Sequence, residues 1–325
     1  MPHDHMIFSV EECEKYSLIP DKNTVIMATC QNQIKIFLLS FLSVLVRSNP
    51  DKVEHFMVCI NGGDKRCGST ELQDDKQKFL EEIRDLKWHG RDMPLTIIRA
   101  WSRIGHSQAL EMAIPWVHTE YYTIMHDDVI VMKKDWAEKV SEILKLPKAA
   151  TIQEPDISRI TSSPVLGLDI GEIILNEKNF INMPHLQSSF LACKKAVISQ
   201  TGARWTGYHF EKNFNLQKDI NVQNFLQYYS KLRNNPDFPR ISQEYQGISM
   251  DFGSWMNYAI RSNGFEQYLF GENQTIHFRK TSWGDPDHIK YRLFIYRKEI
   301  QQLEEELKLY PEYFALYEKY TKETV

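Results

Sequence analysis

Two adjacent carboxylates, Asp127 and Asp128, interrupt a run from Tyr121 to Val131 that is otherwise rich in apolar residues. Such a run reads as a strand of a parallel sheet. Ligands of parallel sheets bind at the carboxyl ends of strands. Two acids side by side there repel each other and lose hydration, so the site needs a compensating charge. A hard divalent cation, Mg2+ or Mn2+ bridging a diphosphate, supplies it. The plainer reading is a solvated turn, or a pair tied to backbone N–H groups.

Three further patterns stand at chemically useful places. Asp251, within Gly247 to Trp255, precedes a helical segment. A carboxylate there can take a proton from a hydroxyl, although most acids at such places simply cap the helix. His277 lies in a short strand-like run, Gln274 to Phe278, where a histidine is either a ligand or a satisfied core residue. Asn61-Gly62-Gly63-Asp64 follows a strand and allows close backbone approach to a ligand. His3 and His5 sit on a terminal tail and are expected to be solvated.

Positioning these groups requires alternating strands and helices. Strand-like runs occur at Thr24 to Thr29, Phe56 to Ile60, Leu95 to Ile98 and Tyr121 to Met132. Helical runs fall between and after them, at Ile34 to Arg47, Leu72 to Leu86, Ser107 to Val117 and Trp136 to Leu146. That pace of alternation predicts βαβ units around a parallel sheet. Pro147 to Pro184 is irregular. Later segments read as a strand at Ser188 to Cys193, helices at Phe214 to Arg233 and Asp251 to Ser262, and strands at Glu266 to Phe270 and Thr275 to Phe278. Lys290 to Lys308 is amphipathic and charged, and reads as one C-terminal helix. Its apolar positions pack on their own domain or form a dimer surface; the first reading is favoured.

Bulk properties narrow the class. The 325 residues are 42% apolar, 25% charged and 12% aromatic, with net charge −4. That composition suits a globular α/β protein. The cations are spread along the chain without a nucleic-acid-binding stripe. Five cysteines with no C-x-x-C pair argue against a zinc site or a disulfide framework and suit a reducing compartment. The first nine residues lack the pattern of a signal peptide, and no apolar run is long enough to span a bilayer. A cytoplasmic protein is the expectation.

Taken in order, these pieces resemble family 2 glycosyltransferases with the nucleotide-binding glycosyltransferase A fold. The likeness runs from about Asn23 to Phe278. It is carried by Thr24 to Thr29 with Asn32, Val58 to Asp64, Gly105 to Leu110, Tyr121 to Asp128, Ser188 to Cys193, Met250-Asp251 and His277. It implies a mostly parallel central sheet flanked by helices, with a C-terminal helical appendage. It also implies an N-terminal extension over 1–22, a catalytic domain over 23–285 and a helical region over 286–325. The nucleotide-sugar half of that domain would cover about 23–135 and the acceptor half about 136–285. Thr29, Asn61, Arg103 and Asp127 would contact the nucleotide donor. Asp128 and His277 would hold Mn2+ or Mg2+, and Asp251 would be the catalytic base.

This chain departs from the family pattern at several places. His126 stands where a D-x-D motif has its first acid, Asn61 where an Asp is common, and Met250 where a second acid precedes the base. The reaction implied is transfer of a sugar from a nucleotide diphosphate to an acceptor hydroxyl, with inversion. A metal-dependent nucleotidyltransferase and a non-catalytic sugar-binding module are the competing readings.

Overall fold

The apolar runs of the first half are short and bounded by polar residues, and the first two form strands buried toward their carboxyl ends. The computed structural model describes residues 17–29, 33–63, 69–100, 104, 106–154, 174–175, 180–182, 189–203, 205, 208–211, 247–250, 254–271, 274–278 and 286–322. The chain divides into two compact units: Met1–Glu142 with Asn273–Val325, and Ile143–Glu272.

In the first unit, β1 (Ile19–Ala28), α1 (Ile34–Val46), β2 (Val53–Ile60) and α2 (Thr70–Arg84) come first. A small hairpin follows, β3 (Lys87–Trp88) and β4 (Arg91–Asp92). Then come β5 (Leu95–Arg99), α3 (His106–Ala113), β6 (Thr119–His126), β7 (Val129–Val131) and α4 (Trp136–Leu144). Strands β6, β1, β2 and β5 pair in that order, all parallel. The α/β alternation therefore builds the expected parallel sheet. Pro115 ends α3 in a 3-10 turn, Ile114–Trp116, rather than kinking a longer helix.

Register brings the strand ends together. Ala28 lies opposite both Cys59 and His126. Thr29, Asn61 and the Asp127-Asp128 pair, each just past a strand end, therefore share one edge of the sheet. Gly63 is needed beside that edge. A Cβ there would come within 2.3 Å of the Thr70 backbone nitrogen at the start of α2. Ser69 caps that helix, its side chain accepting from Leu72 N at 3.3 Å.

The second unit holds β8 (Ala149–Gln153), β9 (Ile174–Leu175), β10 (Phe180–Asn182), β11 (Phe190–Lys194), α5 (Lys195–Thr201), β12 (Tyr208–Glu211), β13 (Gly247–Met250), α6 (Ser254–Ser262) and β14 (Glu266–Leu269). β8 pairs parallel with β14 and antiparallel with β11. A second small sheet runs β12-β13-β10-β9. The helix expected at Phe214 to Arg233 lies outside the described residues.

The chain then returns to the first unit with β15 (Thr275–His277), α7 (Pro286–Ile295), α8 (Arg297–Leu307) and α9 (Pro311–Lys322). The single C-terminal helix expected is thus two helices, and a third follows. Ile300, Leu303, Leu307, Tyr313, Tyr317 and Tyr320 are buried. Helices α8 and α9 pack on α1, and α9 also packs on α2. Their apolar faces are used within the chain. Cys59 packs in the core as a small hydrophobe, its thiol pushed up to about 12 by burial. Among the described residues, no helix is long and apolar enough to cross a membrane.

One ion-pair cluster ties the C-terminal helices to the sheet. The Arg47 guanidinium meets Glu306 at 2.8 and 2.9 Å and also donates to the Val131 carbonyl. Lys134 reaches the other Glu306 oxygen at 2.8 Å. Burial pushes the Glu306 carboxyl up, but the Lys134 and Arg47 charges outweigh it and hold the group below its ordinary value of 4.5. A depressed carboxyl adds stability that is present above its unfolded pKa and lost as pH falls through the folded one. Glu306→Gln should therefore destabilise the fold by about 3 kcal/mol near neutrality, because Arg47 stays buried without its carboxylate. The difference from wild type should shrink as pH drops below about 4.5. Urea unfolding at several pH values measures this, and a pH-independent difference would rule out the charge pairing as the cause.

Candidate functional site

Helix α1 does more than fill the core. Every residue of it except Lys35 is buried, so its two serines have no access to water. The Ser40 hydroxyl lies within hydrogen-bonding distance of the Val129 carbonyl at 2.6 Å and the His126 carbonyl at 3.2 Å. Ser43 accepts from Val131 N at 2.9 Å. The residues that interrupt the apolar run therefore hold the turn between β6 and β7. The single strand expected from Tyr121 to Met132 is broken at that turn, and the two residues in it are Asp127 and Asp128.

The turn sends the acids in different directions. Asp127 points to α2, with Oδ2 3.5 Å from Lys76 Nζ, and both side chains are buried. The Lys76 ammonium also lies 5.3 Å from the centre of the Phe37 ring. A carboxylate and an ammonium this deep survive only as partners, because either alone would be an uncompensated charge. Asp128 points to β15. That strand pairs antiparallel with β7, setting His277 opposite Val129, and Phe278 N donates to the Asp128 carbonyl at 2.9 Å.

The result is a three-residue cluster. His277 Nε2 lies 3.2 Å and His126 Nδ1 3.8 Å from Asp128 Oδ1. The three ligand atoms all fall within 4.8 Å of one another. The two rings stand nearly perpendicular, at 80° with centres 5.5 Å apart. Asp128 is 1% exposed, whereas each imidazole is about a quarter exposed, so the cluster is anchored inside and open outside. Two imidazole nitrogens and one carboxylate oxygen converging at this spacing form a donor set that fits a divalent ion.

The remaining expected site residues fall as follows. Thr29 and Asn61 are buried at neighbouring strand ends. Thr29 Oγ1 donates to Gln73 Oε1 and accepts from Asn61 N, each at 3.0 Å. The Asn61 amide makes two hydrogen bonds with the Ile104 backbone, at 3.0 and 2.9 Å. Arg103 and Asp251 lie outside the described residues.

Two participants were not assigned from the sequence. His126 is the third donor of the cluster, at the place where the family pattern has an acid. Lys76 is the partner of Asp127. A signal for Lys76 exists in the sequence: it lies in phase with Gln73, Phe79, Leu80 and Ile83, the buried stripe of α2.

No family model and no curated protein matches the sequence. Among solved structures, the chain is similar to the mannosyltransferase PcManGT from Pyrobaculum calidifontis in complex with GDP-Man and Mn2+. The identity is 16% and the TM-score 0.40, over 74% of this chain and 60% of that one. It is also similar to S. aureus TarS 1-349 in complex with UDP-GlcNAc, at 11% identity and TM-score 0.39, over 87% of this chain and 66% of that one. The same TarS fragment in complex with UDP gives 12% identity and TM-score 0.40, over 77% and 61%. This chain thus spans less than two thirds of the length of each. At these identities and TM-scores the likeness assigns neither an activity nor a ligand to this chain.

Proposed function

We propose that the chain is an inverting, metal-dependent glycosyltransferase, moving a hexosyl group from a nucleotide diphosphate to an acceptor hydroxyl. The observation that supports this reading best is the His126, Asp128 and His277 cluster at the carboxyl end of a parallel strand. In this reading those three residues hold Mn2+ or Mg2+. A divalent ion there would supply positive charge to the departing diphosphate. Asp127, paired with Lys76, would face the donor ribose from the same turn. Thr29 and Asn61 shape the nucleotide side by fixing the strand ends and the Ile104 backbone, with Arg103 on the phosphate side. Asp251 takes the proton from the acceptor hydroxyl. In this reading the nucleotide-sugar half of the catalytic domain covers about 23–135 and the acceptor half about 136–285.

The donor set also sets a preference among metals. Two imidazoles favour a first-row transition ion over Mg2+, which takes oxygen ligands and keeps its waters. Melting curves with UDP, GDP or dTDP should therefore rise more with Mn2+ than with Mg2+, and more with either than with nucleotide alone. Ligand at about a hundred times its dissociation constant adds roughly 2.7 kcal/mol. His126→Ala and His277→Ala should each reduce the Mn2+ increment. Equal shifts with and without metal would remove the cluster from the reading. Release of pyrophosphate instead of a nucleoside diphosphate from the donor would identify a nucleotidyltransferase. Binding of a nucleotide sugar without slow hydrolysis would identify a binding module.

A further inference from the structure

Helix α7 and the start of α8 carry an exposed face that is both aromatic and cationic. Lys290 to Lys298 reads Lys-Tyr-Arg-Leu-Phe-Ile-Tyr-Arg-Lys, with four cations and no acid, in a chain of net charge −4. Asp287 precedes this stretch and Glu299 follows it. The two helices run nearly continuously across Tyr296: its N–H donates to Arg292 O at 3.1 Å, and its carbonyl accepts from Ile300 N at 2.9 Å. One side is anchored. Ile289 and Ile300 are buried, and the Tyr296 ring meets Phe278 edge-on at 5.6 Å.

The opposite side faces solvent with large apolar groups. Tyr291 is 58% exposed, Phe294 63% and Ile295 39%. Tyr291, Phe294, Ile295 and Lys298 follow i, i+3, i+4, i+7 spacing, so they form one stripe. Lys290, Arg297 and Lys298 are exposed beside the rings. The Arg297 guanidinium lies 4.5 Å from the Phe294 ring centre and donates to the Phe294 carbonyl at 3.0 Å. Aromatic rings rimmed by cations suit the boundary between acyl chains and charged headgroups, where the rings leave water and the cations meet phosphates.

We propose that this face docks the chain reversibly on an anionic lipid surface. Charge selects that occupant over a second copy. A two-fold contact would set the same four cations against themselves. Three apolar side chains are also a small core for a stable dimer, which buries about 800 Å² on each partner. A lipid surface needs neither self-complementarity nor a large footprint, because each cation near it adds attraction. Docking of this kind holds whatever reaction the acid turn supports.

Flotation of the full chain with vesicles tests it. Vesicles containing phosphatidylglycerol should retain the chain at low salt and release it at high salt, and pure phosphatidylcholine should retain it far less. Tyr291→Ser with Phe294→Ser, and separately Lys290→Glu with Lys298→Glu, should each weaken retention on the order of tenfold or more. Both pairs are exposed, so melting temperature serves as the control for folding. The proposal is overturned if the folded chain ignores anionic vesicles, or if both double variants bind as well as wild type. Equal retention on phosphatidylcholine overturns it too, as does an RNA oligonucleotide that outcompetes the vesicles. A concentration-dependent doubling of mass that Phe294→Ser abolishes would assign the face to a second copy instead.

Discussion

Replacing Asp251 by Asn is expected to lower turnover by roughly 10²–10⁴-fold, the range that a positioned general base contributes. A single base facing the acceptor suits direct displacement, in which attack and departure occur on opposite faces of the sugar. A free aspartate has a pKa near 3.9 and is a weak base, so its surroundings have to raise it toward the working pH. Asn has nearly the same shape and caps a helix about as well as Asp, so a merely structural Asp251 would lose little on this change. The described part of α6 begins at Ser254, three residues further on. Steady-state rates on a matched donor and acceptor decide the matter, with donor affinity and melting temperature as controls. Near-normal turnover in the Asn variant makes Asp251 structural. NMR of the product's anomeric centre tests the stereochemistry separately, and retention would exclude direct displacement even with Asp251 essential.

Asp128→Asn is the second large effect. The carboxylate is the buried member of the cluster and the closest to both imidazoles. Neutralising it removes the one anionic donor while keeping the side chain's volume. Loss of a direct ligand should exceed the roughly 10–100-fold in metal affinity that outer partners of a site are worth. The Mn2+-dependent part of the melting shift should disappear, and transfer should fall with it. Asp127→Asn should behave differently: it removes the carboxylate beside the buried Lys76 ammonium, so the main loss should be in folding stability. Comparing Mn2+ titrations of the two variants separates the roles. An undiminished Mn2+ shift in Asp128→Asn would end the assignment of this residue as a ligand.

Much of the scaffold was legible in residue order because local rules govern it. Short β-branched and apolar runs bounded by polar or turn residues became strands, and longer apolar or amphipathic runs between them became helices. Asp127 and Asp128 stood out because two charges in an apolar run have a cost that something must offset. The break of the strand at those acids was legible only as the plainer reading, a turn, and that turn is buried rather than solvated. Both halves are equally apolar, and only the antiparallel pairing of β7 with β15 ends the parallel run. The gap between α7 and α8 at Tyr296 was also missed, since the amphipathic pattern passes through it without a glycine or proline.

The sequence by itself determined the alternation of strands and helices, the burial of α1 and the location of the acids at the end of a strand. These follow from periodicity and from the cost of charge in an apolar segment, both of which act over a few residues. Only the tertiary structure decided how the acids divide. Lys76 is 51 residues before Asp127, and His277 is 149 residues after Asp128, so neither contact is written in local spacing. Parallel register carried α2 to one side of the turn, and the return of β15 against β7 brought His277 to the other. Two neighbouring residues of one chemical type thereby acquired different partners: a buried ammonium for Asp127, and two imidazoles open to solvent for Asp128.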